Sequence, residues 1–334
     1  MMFVLAPELF IKRVMKADRV QCLEQVQSLW SGYGHISRYH VEHQGNRSSV
    51  ILKAIDWKTN AKHPRGWQSD LAHQRKVTSY QVELDWYKNW SRDTQHSIRI
   101  PNFLSSLKQE SAAYLLLEDL DASGFHVRCA SLESHQASTV LHWLASLHAH
   151  YLVITPNVGW PKGLWPEGTY WHLATRPDEW QAMAEGQLKV SAQRLDDAIR
   201  TCPYQTLVHG DAKVANFCFS ADLSDVAAVD FQYIGRGIGV QDVAYFLGSC
   251  LSEAQLEADI DYLLDIYFSE LARCIIARGE SPDLAESVTQ AWYRLFPVAW
   301  ADFHRFIMGW CPTHHKNTNF SQRITQIGLD QVSL

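Results

Sequence analysis

The sequence predicts an α+β protein built as two lobes. Apolar segments of strand-like length are concentrated in the first third of the 334 residues, whereas helical spacing of apolar residues dominates from Glu133 onward. A chain of this length can form two lobes that each bury a core. The apolar run at 112–117 ends in Glu-Asp-Leu-Asp at 118–121. We therefore expect an N-terminal lobe of antiparallel strands plus helices over residues 1–118, a hinge at about 118–121 and a larger, mainly helical C-terminal lobe over residues 119–334.

Helical spacing predicts that residues 1 to about 30 form a helix. Val20, Leu23 and Val26 recur at intervals of three after Asp18, which is a favourable N-cap. The other elements expected in this lobe follow from turn residues and apolar runs. They are two strands joined by the turn at residues 44–46, the second spanning 49–55, a polar loop over 56–76, a helix over 77–90, and strands over 98–103 and 112–117.

Capping signals divide the C-terminal lobe into helices. Ser252 and Gln255 form a capping box that opens a long helix, and Gly279 marks its end. The Ser-Pro pair at 281–282 opens the next helix, which we expect Pro297 to interrupt. The remaining expected elements are a helix from about residue 133, a loop over 154–172 and a helix over about 178–199.

Composition and charge argue against several classes of protein. Apolar residues make up 46% of the chain and charged residues 20%, as in ordinary globular proteins. The 30 basic and 36 acidic residues give a net charge of −6, which argues against non-specific nucleic-acid binding. No apolar run reaches the roughly 18 residues that span a bilayer. We expect no membrane segment, no signal peptide and no obligate protein partner.

The seven cysteines indicate a reducing compartment. They are widely scattered, their number is odd and no C-x-x-C pair is present, so the sequence predicts neither a disulfide framework nor a zinc site. The 16 histidines include no H-E-x-x-H motif. We expect a cytoplasmic protein without a structural metal.

The stretch over residues 207–247 contains side chains suited to phosphoryl transfer. It includes the patterns H-G-D-x-x-x-x-N and V-D-F-Q. A carboxylate such as Asp211 can orient an acceptor hydroxyl and receive its proton. Asn216 and Asp230 can hold Mg²⁺ through oxygen atoms, which this ion prefers. Asp242 is a fourth polar candidate in the same stretch.

Lys53 is a lysine inside an apolar strand, where a charge without a partner is costly. One interpretation is that Lys53 lies on a solvent-facing side of the strand. The other is a phosphate-binding lysine held by an acidic residue on a following helix. Glu83 flanks the apolar stripe of that helix and is the partner that we favour, with Glu110 and Glu118 as alternatives.

These patterns carry a resemblance to a known superfamily. His209-Gly-Asp-Ala-Lys-Val-Ala-Asn216 resembles the catalytic loop of aminoglycoside phosphotransferases and choline kinases, and its D-x-K-x-x-N spacing is similar to that of protein kinases. Asp230-Phe-Gln stands where the D-F-G-type metal ligand stands. With Lys53, the S-Y-x-x-E helix and G-x-G-x-x-D-x-A-Y-F-L, the chain looks most like the ecdysteroid-kinase-like (CHK-kinase-like) branch. The resemblance covers nearly the whole chain and implies a protein-kinase-like fold.

The resemblance implies a role for each matched residue of the catalytic stretch. Asp211 would act on the acceptor hydroxyl, and Lys213 would neutralise charge on the transferred phosphoryl group, unless it is a surface lysine of the loop. Asn216 and Asp230 would hold Mg²⁺. Asp242 would bind backbone near the catalytic loop rather than metal.

The resemblance also implies a nucleotide site, with ATP as the expected nucleotide and GTP as an alternative. The residues expected to contact the nucleotide are Gly32, Gly34, Lys53, Glu83, Glu118 and Leu120. The two glycines would let backbone N–H groups approach the phosphates, although Ser37 replaces the third glycine of G-x-G-x-x-G. The lysine would pair with the α- and β-phosphates while Glu83 holds it. The last two residues belong to the hinge, whose backbone would contact the adenine edge.

The sequence favours a small-molecule acceptor for the phosphoryl group. Asp230 is followed by a short Gly-containing turn and a helix, without an activation segment of the D-F-G…A-P-E type that would dock a protein. An acceptor pocket could be lined by residues near the C-terminus, for which a core aromatic stripe is an equal alternative. These residues are Trp300, Asp302, Phe303, Arg305, Phe306 and Trp310. Two other functions stay open, which are a non-catalytic nucleotide-binding protein and a protein or fructosamine-type kinase.

Overall fold

The N-terminal lobe is organised around a five-stranded antiparallel sheet. Its strands are β1 (Arg19–Ser28), β2 (Gly34–His43), β3 (Asn46–Asp56), β4 (Phe103–Lys108) and β5 (Ala112–Glu118). Their order in the sheet is β1-β2-β3-β5-β4. Two helices belong to this lobe, α1 (Pro7–Met15) and α2 (Asp70–Asp85). The structure is a computed structural model and describes residues 5–29, 32–57, 70–94, 98–110 and 112–333.

The prediction of one helix over the first 30 residues is wrong, because β1 occupies its second half. β1 is an edge strand that pairs with β2 and is exposed along most of its length. Its register shifts between Cys22 and Glu24 and again between Gln25 and Gln27. Each bulge adds a residue and breaks the alternation of a regular strand. The apolar residues therefore recur at intervals of three in a strand.

The hairpin predicted around residues 44–46 is confirmed as β2 and β3. Gln44 and Gly45 have positive φ angles of 50° and 79°, as tight hairpin turns require. β3 lies in the centre of the sheet, and Lys53 pairs with Ile36 on one side and Leu115 on the other. Both neighbouring strands therefore protect the backbone of Lys53 from water.

Two boundaries in this lobe differ from the prediction. α2 begins at Asp70, within the segment that the sequence assigned to a loop. It ends in a π-type turn at Trp86–Trp90 and a 3-10 turn at Ser91–Thr94. The strand expected over 98–103 is instead β4, which begins at Phe103, after Pro101. Proline has no N–H to donate, so the residues before it do not join the ladder.

The C-terminal lobe is mainly helical. Its helices are α3 (Ser134–His150), α4 (Pro177–Ala182), α5 (Gln187–Val190), α6 (Ala192–Arg200), α7 (Val240–Cys250), α8 (Glu253–Ala277), α9 (Pro282–Trp310) and α10 (Asn319–Ser333). Its short strands are β6 (Val153–Ile154), β7 (Tyr204–Val208), β8 (Phe217–Phe219), β9 (Val226–Ala228) and β10 (Gly235–Gly237). β10, β7 and β6 form one small sheet, and β8 pairs with β9. The protein is therefore α+β with a two-lobed kinase-like fold, as the sequence predicts.

The capping predictions for the long helices are confirmed. Ser252 Oγ accepts from Gln255 N at 3.3 Å, and Gln255 Oε1 accepts from Ser252 N at 2.9 Å. Ser281 Oγ accepts from Leu284 N at 3.1 Å, with a proline at the first helical position. The predicted interruption at Pro297 is wrong, because α9 continues through it.

The helix predicted over 178–199 is wrong as a single element. It is divided into α4, α5 and α6, and Gly186 is the N-cap of α5.

In the part of the chain that the structure describes, no helix is both long and apolar enough to cross a membrane.

Candidate active site

The loop over 209–216 connects β7 to β8 and rests on an aromatic layer. The rings of His209 and Phe231 are 4.7 Å apart, and Phe231 stacks on Trp86 at 4.9 Å. Gly210 has φ 78°, and a Cβ added to it would lie 2.1 Å from the carbonyl oxygen of Tyr233. Only glycine fits this position, and it lets the loop pass close to the segment that follows Asp230.

Asp242 holds the backbone of this loop from α7. Its carboxylate accepts from His209 N at 2.5 Å and from Gly210 N at 2.9 Å. His148 Nε2 lies 3.1 Å from the same carboxylate, and His148 Nδ1 lies 2.9 Å from the hydroxyl of Tyr267. Asp242 and His148 are fully buried. Both are therefore structural residues that fix the loop, and for Asp242 this is the role that the resemblance implies.

Asp211 is held by amide, ammonium and phenol groups. Its Oδ2 accepts from Asn216 Nδ2 at 3.0 Å and from Lys213 Nζ at 3.0 Å. Asn216 Nδ2 also donates to the backbone oxygen of Asp211 at 2.8 Å. The phenols of Tyr245 and Tyr170 lie near Asp211, and their pKa values are raised by burial and, to a smaller extent, by the charge of Asp211. This network fixes the orientation of the Asp211 carboxylate in the cleft.

Asp230 follows β9 in the left-handed conformation, with φ 69°. Its Oδ1 accepts from Gln232 Nε2 at 2.5 Å and from Lys53 Nζ at 3.2 Å. Burial alone would raise the pKa of Asp230, but the ammonium groups of Lys53, Lys76 and Lys213 hold it well below its usual range. Asp230 is therefore ionised across the physiological pH range.

Lys53 forms a buried ion pair with Glu83. Lys53 Nζ lies 2.6 Å from Glu83 Oε2, and the two residues are 5% and 2% exposed. Burial would lower the pKa of Lys53, but the carboxylates of Glu83 and Asp230 raise it on balance. Glu83 is thus the partner among the three candidates, since Glu118 instead bonds Arg99 Nη1 at 2.9 Å. A solvent-facing Lys53 is excluded.

Lys53, Asp211, Asn216 and Asp230 line one cleft of about 1170 Å³. Both contacts that Asn216 makes with Asp211 come from its side-chain nitrogen, so its amide oxygen is directed elsewhere. That oxygen and the ionised Asp230 carboxylate are hard donors of the kind that Mg²⁺ prefers. The described residues contain no group of three His, Cys, Asp or Glu side chains that could hold a metal alone. The donor set therefore fits a Mg²⁺ ion that is shared with phosphate oxygens.

One end of the cleft has apolar walls beside the expected hinge. The residues that form these walls are Ile36, Ile51, Leu117, Leu120, Cys218 and Val229. Glu118 and Leu120, which the sequence assigns to nucleotide binding, both line this end. The Glu118 carboxylate is occupied by Arg99, Asn102 N and Ser123. Leu120 provides apolar surface, so a flat heterocycle fits between these walls.

Gly32 and Gly34, which the sequence predicts to contact the phosphates, lie beside the cleft and are not among the described residues that line it. Tyr33, between them, lines the cleft. A Cβ at Gly34 would lie 1.9 Å from the carbonyl oxygen of Ala54, so this glycine is required by the close approach of β3. Gly32 has φ 78° and open space around it. Trp30 and Ser31, from the same loop, lie outside the described residues.

The other end of the cleft is aromatic and basic. Tyr170, Arg176, Tyr245, Phe306 and Trp310 line it. The rings of Phe306 and Trp310 are stacked with centroids 6.0 Å apart. Of the six residues predicted for the acceptor pocket, Phe306 and Trp310 therefore reach the cleft, whereas Arg305 is buried beside Asp302.

The other three predicted acceptor residues are placed elsewhere. Asp302 is buried and bonded by Arg305 Nε at 3.0 Å and Trp171 Nε1 at 3.1 Å. Trp300 packs on Phe320, with ring centroids 5.2 Å apart. The ring of Phe303 packs between Trp171 and Tyr245. For these three, the alternative of a core aromatic stripe describes the structure.

Sequence reasoning missed two basic residues of the cleft. Arg75 and Lys76 belong to the first turns of α2, which the sequence assigned to a loop. Lys76 Nζ donates to Gln232 Oε1 at 2.8 Å. The spacing of Lys76, Ser79 and Glu83 over seven residues places them on one helical face, and this spacing is visible in the sequence.

Arg38 is a further cleft residue that the sequence did not indicate. Its Nε donates to Asp119 Oδ2 at 2.8 Å, and its other nitrogens contact Asp121 and Glu24. Ser49 Oγ also donates to Asp119, at 2.7 Å. These bonds tie β2 and β3 to the segment after β5, at the apolar end of the cleft.

The fold and the cleft define a kinase-like protein with its candidate active site between a strand-rich and a helical lobe. The chain belongs to the ecdysteroid kinase-like family, whose model matches residues 35–157 and 171–279.

Several solved structures resemble the chain at low identity. A microcompartment-associated aminopropanol kinase is 15% identical, with 97% of this chain and 95% of that chain covered and a TM-score of 0.46. An aminoglycoside-3'-phosphotransferase of type VIII is 15% identical, with 96% and 98% covered and a TM-score of 0.42. A choline/ethanolamine kinase family protein from Mesorhizobium loti is 11% identical, with 94% and 87% covered and a TM-score of 0.41. No curated protein matches the chain. The family assignment therefore rests on the family model that matches residues 35–157 and 171–279, and not on these structures.

Proposed function

We propose that the protein is an ATP- and Mg²⁺-dependent phosphotransferase that phosphorylates a hydroxyl group of a small molecule by direct in-line transfer. The observation that carries the proposal is the convergence of the Lys53–Glu83 ion pair, Asp230 and Asp211 in one cleft. We take residues 1–118 and 119–334 as the two lobes, joined at about 118–121. ATP is the proposed nucleotide, with GTP as the alternative.

The N-terminal residues bind and orient the nucleotide in this proposal. Lys53 pairs with the α- and β-phosphates, because its ammonium is charged and fixed by Glu83. The hinge backbone at Glu118 and Leu120 contacts the base, between apolar walls. Asn216 and Asp230 hold the metal ion. When bound, Mg²⁺ supplies charge neutralisation at the phosphate oxygens.

Asp211 orients the acceptor hydroxyl and receives its proton during transfer. Both hydrogen bonds that its carboxylate accepts from Asn216 and Lys213 go to Oδ2, which leaves the lone pairs of Oδ1 for a hydroxyl donor. Lys213 lies beside the carboxylate and neutralises charge that develops on the transferred phosphoryl group. Positioning and electrostatic stabilisation are the main contributions that phosphoryl transfer requires from a protein.

A non-catalytic nucleotide-binding protein is the rival function. The presence of an ionised Asp230 and of a fixed Asp211 favours an enzyme, because a binding protein does not need a proton acceptor beside the phosphates. A protein kinase or a fructosamine-type kinase is the third candidate. The chain passes from Asp230 through β10 directly into α7, so no extended segment for docking a protein follows the metal-binding residue.

A two-stage measurement tests the proposal. Thermal unfolding with ATP and Mg²⁺ reports nucleotide binding, and ADP release over a panel of hydroxyl-containing metabolites reports turnover. We expect Asp211→Ala to keep the thermal shift and to lose turnover, and Asp230→Ala to lose turnover together with the contribution of Mg²⁺ to the shift. Nucleotide binding without turnover on any metabolite supports the non-catalytic alternative. Turnover that persists in Asp230→Ala contradicts the metal assignment.

A further inference from the structure

Two arginines from different lobes meet at the aromatic end of the cleft. Arg75 on α2 and Arg176 before α4 both line it. Arg176 Nε donates to the backbone oxygen of Tyr170 at 2.7 Å, and its Nη1 lies 3.1 Å from Glu179 Oε1. Arg75 Nη1 donates to the backbone oxygen of Thr175 at 2.6 Å. The two guanidinium groups are therefore fixed next to each other by neighbouring residues.

These two positive charges share one carboxylate. Within the described ranges, no carboxylate lies within ion-pairing distance of Arg75, and Glu179 pairs with Arg176 alone. Burial and the nearby Arg176 lower the pKa of Arg75, which is the effect expected of an incompletely neutralised pair. A guanidinium has five N–H donors in a planar fork that matches carboxylate and phosphate groups. The pair is therefore built to bind an anion.

Arg176 lies beside aromatic rings near Asp211, the proposed proton acceptor. The guanidinium of Arg176 lies 5.6 Å from the ring of Tyr170 and 5.3 Å from the ring of Phe306. Tyr170 lies near enough to Asp211 that the charge of this carboxylate helps to raise the pKa of its phenol, and Asp211 and both arginines line the same cleft as Tyr170. One small molecule can thus contact both Asp211 and the arginines.

The carboxylate of Asp211 lies near this end of the cleft and is paired with Lys213, at 3.0 Å. Lys316, whose ammonium lies 4.7 Å from the ring of Tyr245, lines a separate pocket. The Asp302 carboxylate is paired with Arg305 inside the core. An ammonium group of the acceptor placed beside Arg75 and Arg176 would therefore meet like charges.

We propose that the acceptor is an anionic hydroxyl compound whose carboxylate or phosphate binds Arg75 and Arg176 while its hydroxyl bonds Asp211. Its apolar body packs on the stacked rings of Phe306 and Trp310. The inference rests on the proposed phosphotransferase function and defines the substrate class of the same site.

Matched acceptors that differ in charge alone test the inference. The compounds are para-(hydroxymethyl)benzoate, its neutral amide and the corresponding benzylamine, with para-(hydroxymethyl)phenyl phosphate as the phosphate arm. We expect kcat/KM from ADP release to be at least roughly tenfold higher for the carboxylate or the phosphate than for the amide, because a charged hydrogen-bonded contact is lost in the amide. The benzylamine should be the poorest acceptor. An amide or benzylamine that equals both anions, or no ADP release above the no-acceptor control with either anion, overturns the inference.

Substitutions of the arginines test their part separately. Arg75→Met and the double variant Arg176→Met/Glu179→Gln, which leaves no unpaired buried carboxylate, should reduce the ratio of anion to amide turnover toward one. Arg92→Met removes an exposed arginine outside the cleft and should leave the ratio unchanged. A ratio unchanged in both cleft variants overturns the inference. Thermal shift with ATP and Mg²⁺ on the same samples distinguishes failure of the inference from failure of the proposed function. Loss of nucleotide binding contradicts the phosphotransferase. Nucleotide binding without a preference for anionic acceptors contradicts the anionic acceptor alone.

Discussion

The side-chain amide of Gln232 donates to the carboxylate of Asp230, with 2.5 Å between Nε2 and Oδ1. The amide oxygen of Gln232 accepts from Lys76 Nζ at 2.8 Å and from Ser79 Oγ at 3.2 Å. Gln232 therefore connects α2 to the proposed metal ligand. Through its contact with Oδ1 it fixes the rotation of the Asp230 carboxylate.

Gln232→Leu should weaken the proposed metal site without unfolding the protein. Residues that orient metal ligands typically change metal affinity or activity by 10–100-fold, so the Mg²⁺ concentration for half-maximal ADP release should rise by roughly tenfold or more. A Mg²⁺ titration at saturating ATP measures the effect. Gln193→Leu, at an exposed position of α6, is the matched control. An unchanged Mg²⁺ requirement contradicts the positioning role of Gln232.

Breaking the Lys53–Glu83 pair on one side should cost more than removing both partners. A single loss leaves a buried charge without its partner, which typically costs about 3–5 kcal/mol, whereas an apolar replacement of both removes both desolvation penalties. We expect Lys53→Met and Glu83→Leu each to lower the free energy of unfolding by this amount. The double variant should lose less than the sum of the two. Denaturant unfolding of the four proteins measures the coupling, and additive losses would argue against a coupled pair.

Asp242→Asn should loosen the catalytic loop. The carboxylate accepts from two consecutive backbone N–H groups, and an amide can present only one oxygen to them. Loss of one charge-assisted hydrogen bond typically costs about 1.5–3 kcal/mol. We expect a lower free energy of unfolding and a lower kcat, with KM for ATP changed less. Asp330→Asn, at an exposed position of α10, is the control. A stable variant with normal kcat contradicts the loop-fixing role.

Lys316 should lose its proton at a lower pH than an exposed lysine does. Burial lowers its pKa from 10.5 to about 8. Between pH 8 and 10.5 the unfolded chain therefore binds more protons at this site than the folded protein does, so the contribution of Lys316 to stability increases as the pH rises through this range. Acylation monitored by mass spectrometry across pH 7 to 11 should show Lys316 reacting with a midpoint near 8. Lys316→Met should flatten the rise of stability over the same range, and a midpoint near 10.4, as in exposed lysines, contradicts the burial argument.

The grouping of Asp211, Asn216 and Asp230 in one cleft could be predicted because these residues are close in sequence. Asp211, Asn216 and Asp230 lie within a loop and a short hairpin, so spacing alone limits their geometry. Lys53 and Glu83 come from separate elements, but a lysine inside a central strand requires an acid nearby. The physical cost of a buried charge therefore identified a contact that spacing could not.

The acceptor end could not be predicted from sequence in the same way. The aromatic residues of α9 are distributed around the helix, and periodicity does not say which face meets the cleft. Arg75 and Lys76 were assigned to a loop because the first turns of α2 are polar, with no apolar stripe. β1 was misread because two bulges give an edge strand a helical spacing. Each of these features depends on tertiary packing rather than on local pattern.

Transfer of label from the γ-phosphate of ATP to a small molecule tests the proposed activity most directly. The protein is incubated with γ-labelled ATP, Mg²⁺ and a fractionated metabolite extract, and labelled compounds are separated from nucleotide and inorganic phosphate. Wild-type protein should produce a labelled small molecule that is absent with Asp211→Asn, although this variant still binds ATP. Label found only in inorganic phosphate or on protein, or equal labelling by Asp211→Asn, would contradict a small-molecule kinase that uses Asp211.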